Sequence, residues 1–138
     1  MDTGRPSLMS GRLAGIDFGS KRVGIALSDE TRQFALPKGV LKNDSELFNN
    51  FRSFCKENNV VLVVMGESRD YKGKDNKIME EARLFAEKVK KELVLDVAFV
   101  PEFLTSAEAE RIQGKIDTLD ASAAAIILKS YIDQHYGN

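Results

Sequence analysis

The chain has 138 residues, 43% of them hydrophobic and 30% charged, with a formal net charge of −1; this is the composition of an ordinary water-soluble globular domain. A balance so close to neutral excludes a general attraction to nucleic acid, and no apolar run approaches the roughly 18 residues of a membrane helix. The single cysteine, Cys55, has no internal disulfide partner, as expected of a reducing cytoplasm, and no signal peptide is visible.

Met1–Ser10 (MDTGRPSLMS) lacks periodicity, and residues 1–11 are expected to be a flexible tail ahead of a single domain over 12–138. Leu13–Phe18 and Val23–Ser28 are apolar runs of strand length joined by Gly19-Ser20-Lys21-Arg22. Asp17 interrupts the first run, and its neighbours on the same strand face are Gly15 and Gly19. A carboxylate in an apolar strand is costly unless a cation, donor or metal matches it, and the glycines leave room for a large partner.

Gly39-Val40-Leu41, after Pro37, is a weaker third strand. Asp44 and Ser45 can cap a helix whose apolar stripe is Leu47, Phe51, Phe54 and Cys55. The run Val60–Met65, ending at Gly66, reads as a strand buried on both faces. A polar loop follows, then a helix with Ile78, Ala82, Phe85, Val89 and Leu93 on one side, then a fifth strand over Leu95–Val100 stopped by Pro101. Thr105-x-x-Glu108 is a capping box opening a short helix that Gly114 ends, and a last helix runs from about Asp120 to Gln134. Short links among the first three strands predict an antiparallel meander, and the helices before the last two predict parallel crossovers. The fold class is therefore α/β, a five-stranded mixed sheet with helices on both faces.

This topology can gather three carboxylates. Asp17 lies on the first strand, Glu102 just past the fifth, and Asp120 at the start of a helical face continued by Ala124, Ile127 and Tyr131. Three acids around one pocket repel unless a divalent cation is present; with Mg²⁺ or Mn²⁺ they become a cage suited to phosphodiester hydrolysis. Blander roles compete: Asp120 as a helix N-cap, and Glu102 as a solvated loop acid. Residues 1–42 carry seven Lys and Arg against four acids, and residues 68–77 four against two, so a local basic lip is available for phosphate.

The run Ile16–Asp29 (IDFGSKRVGIALSD) resembles the D-x-G-x-K-R-x-G-x-A motif of the YqgF/RuvX family, described as Holliday junction resolvases and as pre-16S rRNA nucleases. Glu102–Ala109 resembles its D-E-R-L-T-T-x-E-A segment, and Asp120–Leu128 its closing D-S-x-A-A-x-I-I-L helix. The resemblance implies an RNase H-like fold and Asp17, Glu102 and Asp120 as catalytic, metal-binding acids, with Lys21 and Arg22 beside the substrate. Arg69 would join them on backbone phosphates, and Thr105 is a polar contact in the cleft or simply the helix cap.

The implied function is a metal-dependent endonuclease for structured RNA or branched DNA, cytoplasmic, monomeric or homodimeric, and a partner of ribosomal precursor particles. The sequence departs from the pattern at Pro101 and Phe103, where the family has an acid and an arginine, and Phe cannot replace a guanidinium. A catalytically impaired nucleic-acid-binding or ribosome-associated protein is thus an alternative. A third is an ATP-binding module, since the glycine motif also resembles a phosphate loop of the actin and sugar-kinase superfamily; those proteins clamp nucleotide between two such domains. Glu67, after the fourth strand, is a further candidate metal ligand.

Overall fold

The computed structural model describes residues 11–67, 77–101 and 116–136, with backbone alone for 116–120. Five strands form one sheet: β1 (Arg12–Phe18), β2 (Arg22–Ser28), β3 (Ala35–Lys42), β4 (Val60–Glu67) and β5 (Asp96–Pro101). Their order is β3-β2-β1-β4-β5. β1 pairs antiparallel with β2 and parallel with β4; β2–β3 is antiparallel and β4–β5 parallel. The meander and both parallel crossovers are as the sequence predicts, and β1, which carries Asp17, is central.

β3 is longer than the Gly39–Leu41 core of the prediction. As an edge strand it tolerates Pro37, which cannot donate to a ladder. A register shift opposite Ile25 and Ala26 sits beside Gly39, whose φ of 150° is a conformation side-chain-bearing residues avoid.

Helices α1 (Leu47–Glu57) and α2 (Lys77–Lys88) cover one face of the sheet, and α3 (Ile116–His135) the other. On the first face Ala14, Ile16, Val63 and Met65 pack on Phe48, Phe51 and Phe85. Phe85 anchors that layer, its ring centroid 5.4 Å from Phe18 and 5.6 Å from Phe51. α2 passes into one π-helical stretch, Val89–Leu93, closed by Val94 in the left-handed region. α1 differs from its predicted start: Glu46 occupies the cap without a side-chain bond, while Asp44 accepts the Glu46 N–H at 2.9 Å in the preceding turn.

On the second face Leu13, Ala26, Val64 and Val100 meet Ala124, Ile127, Leu128 and Ile132. The spacing of these α3 residues presents one continuous apolar stripe to the sheet. The helix starts a turn earlier than the sequence suggests, at Ile116, so Asp120 lies inside it and is not its N-cap. The predicted short helix from Thr105 to Gly114 lies outside the described residues.

Candidate active site

Strand alternation decides which side chains share a face. Ala14 and Ile16 belong to the α1/α2 layer and Leu13 to the α3 layer, so Gly15 and Asp17 stand on the α3 face. Gly15 is where α3 touches the sheet. A Cβ there would lie 2.7 Å from the Ala124 carbonyl oxygen and 2.7 Å from Leu128 Cβ. Only glycine lets the helix seat this deeply.

The direction of α3 follows from its far end. Arg32, in the β2–β3 turn, donates from Nε to the Gly11 carbonyl (3.0 Å) at the start of β1 and from Nη1 to the Tyr136 hydroxyl (3.5 Å) just past α3. Its guanidinium also lies over the Tyr136 ring, 5.7 Å from the centroid. The end of α3 therefore sits beside the beginning of β1, and the two run antiparallel. From the Gly15–Ala124 contact, two strand residues (about 6.6 Å) lead to Asp17. Four helical residues (about 6 Å) lead in the same direction to Asp120. The backbone thus carries both aspartates to the same end of the same face.

Asp17 pairs in register with Gly24, which leaves the neighbouring position on β2 without a side chain. The turn beyond Asp17 is tightly held. Gly19 N–H donates to the Arg22 carbonyl (2.9 Å), Asn43 N–H to the Lys21 carbonyl (3.0 Å), and the Asn43 amide to the Gly19 carbonyl (2.7 Å). Asn43 is a residue the sequence reading passed over; its place directly after β3 was the available signal. Lys21 and Arg22 are both exposed on this rim.

β4 and β5 end at the same side of the sheet as β1. On β5 the alternation places Val100 on the α3 face, one residue before Pro101. Glu102, Arg69 and Thr105, as well as the Asp120 side chain, lie outside the described residues. Among the described residues no three His, Cys, Asp or Glu side chains form a metal-binding group. Glu67 follows Met65 on β4, and alternation sets it on the α1/α2 face, with the sheet between it and the Asp17 face. Parity therefore speaks against Glu67 as the further candidate ligand.

Away from this end, burial pushes the Cys55 thiol up to about 12, so it is an inert core group. Burial first, then the nearby Tyr136 and Asp96, raise the Tyr131 hydroxyl above its usual range.

The sequence matches the family model described as RuvX: Holliday junction resolvase over residues 11–134. The chain belongs to the RuvX family. A relative from Dictyoglomus turgidum, named as a candidate pre-16S rRNA nuclease, is 33% identical over 132 residues, covering 88% of this chain and 94% of its own. One of the same name from Lactococcus lactis subsp. cremoris is 32% identical, with 92% and 97% covered. Among solved structures, Thermus thermophilus RuvC superposes with a TM-score of 0.63 at 14% identity, over 91% of this chain and 96% of that one. The fowlpox virus Holliday junction resolvase gives 0.57 at 16%, with 89% and 99% covered. RuvX membership makes this chain a nuclease, and the likeness to the two resolvases identifies the sheet and its flanking helices as the RNase H-like resolvase fold.

Proposed function

We propose that this RuvX chain is a divalent-metal-dependent endonuclease whose active site is Asp17, Glu102 and Asp120. Its activity is 5′-end processing of pre-16S rRNA or resolution of Holliday junctions, in the cytoplasm. The observation that carries the assignment is the Gly15–Ala124 contact, which sets Asp17 and the backbone of Asp120 about equally far beyond one point. The donor set supports a hard cation: three carboxylates brought together beside Gly24, where β2 carries no side chain, would repel one another without one. Bound Mg²⁺ or Mn²⁺ would supply Lewis-acid chemistry, activating water and neutralising the leaving oxygen.

The chain's own groups do the rest. Asp17 and Asp120 would hold the ion from strand and helix, and Glu102 would complete the cage or orient the attacking water. Lys21 and Arg22 grip backbone phosphates beside Asp17, Arg69 does so from the segment that follows β4 in the sequence, and Thr105 adds a polar contact. The position of Asp120 inside α3, a turn beyond Ile116, supports this role over helix capping.

The test is incubation of the purified chain with a precursor 16S rRNA fragment and, separately, a four-way DNA junction, with Mg²⁺ or Mn²⁺. Metal-dependent cleavage of one substrate, reduced about 100-fold or more by Asp17→Asn, is expected. Cleavage that survives in Asp17→Asn would overturn the assignment. Nucleic-acid binding without cleavage by the wild type would favour the impaired-protein reading that Pro101 and Phe103 motivate.

A further inference from the structure

Arg22 and Lys42 are directly opposed on β2 and β3, two strands from the edge of the sheet to its centre. Their neighbours Val23 and Leu41 belong to the α1/α2 layer, so alternation turns Arg22 and Lys42 to the other face, the one that carries Asp17. The register places Arg22 two residues beyond Gly24, the partner of Asp17. At ordinary strand spacing and rise, the Lys42 Cα is about 12 Å from that of Asp17.

Four features suit this rim to an anion. α3 crosses the sheet so that Ala35, at the other end of β3, packs in its layer, while Lys42 is exposed. An anion lying beside the two cations can accept charge-assisted hydrogen bonds from both. Among the described residues Lys42 forms no ion pair that would neutralise it. Its position is also fixed: the next residue, Asn43, is bonded to the Gly19–Lys21 turn through both backbone and side chain.

We propose that Lys42, together with Arg22 opposite it, forms a phosphate clamp on the β2–β3 side of the site, which binds the nucleic-acid backbone away from the bond being cut. This deepens the nuclease reading and rests on it. The clamp contributes to substrate affinity through counterion release and leaves metal binding untouched.

Binding is measured in EDTA, where cleavage does not intervene, by fluorescence anisotropy of a labelled RNA hairpin and a labelled four-way DNA junction over a series of salt concentrations. Lys42→Ala and Lys42→Glu are compared with wild type and with Lys91→Ala, which lies at the opposite end of the sheet after α2. Lys42→Ala is expected to weaken binding about 3- to 10-fold at low salt and to reduce the slope of log K against log salt by about 0.7–0.9. Lys42→Glu weakens it further, and Lys91→Ala leaves both quantities unchanged. Loss on one nucleic acid alone supports the clamp and identifies which backbone it holds. Wild-type affinity and slope retained in both Lys42 variants would overturn the clamp while leaving the nuclease reading intact. A wild type that binds neither probe would overturn both.

Discussion

At the scale of single residues, the turn between β2 and β3 shows how local hydrogen bonds set chemistry. Burial pushes the Asp29 carboxyl up, but bonds from the Thr31 hydroxyl and from the Phe34 and Gln33 N–H groups outweigh it and hold the group at about 2, against 3.8 when unperturbed. The unfolded chain therefore takes up this proton first. The stabilisation is complete above about pH 4 and is lost as pH falls towards 2. Asp29→Asn should remove about 1 kcal/mol at pH 7, after allowance for solvent screening, and almost nothing at pH 2. Urea titrations at the two pH values check this. Arg32, in the same turn, was not foreseeable. It is only 6% exposed, has a φ of 59°, and its Nη2 has no hydrogen-bond partner among the described residues. A sequence shows a surface-type residue there, because burial of Arg32 depends on Gly11 and Tyr136 arriving from opposite ends of the chain.

At the scale of elements, α3 on β1 is the contact on which the proposed site depends. Gly15→Ala would force its methyl within 2.7 Å of a carbonyl oxygen and a Leu128 carbon. Overpacking of this kind costs about 1–3 kcal/mol, visible as a lowered denaturation midpoint at unchanged slope. The matching loss of metal affinity should exceed that of an equally destabilised variant in the α1/α2 layer, such as Phe51→Leu. Strands were easily read because their apolar runs are short and punctuated by Gly66, Pro101 and the Gly19–Lys21 turn. The start of α3 lies a turn ahead of the sequence expectation, because Asp120 before an alanine-rich run is itself a cap signal and points to a later start. The edge strand was read short because Pro37 argues against a strand everywhere except at an edge, and edge position is a property of the sheet.

At the scale of the whole molecule, the sheet divides two tasks. The α1/α2 face is an aromatic and aliphatic layer around Phe51 and Phe85, and the α3 face carries the polar end with Asp17, Arg22 and Lys42. That the backbones of Asp17 and Asp120 share one end of one face was partly readable, since the two lie in separate motifs whose faces follow from periods of 2 and 3.6. The sidedness of Glu67 was not. It depends on the parallel register Ile16↔Met65, which no local pattern encodes, and that register puts Glu67 behind the sheet.

The most direct measurement of the central claim is calorimetric titration of Mn²⁺ into wild type, Asp17→Asn, Asp120→Asn and Glu67→Gln, without nucleic acid. Joint coordination by β1 and α3 predicts that either aspartate substitution weakens binding about tenfold or more, while Glu67→Gln binds as wild type does. Undiminished Mn²⁺ affinity in both Asp17→Asn and Asp120→Asn would contradict the account.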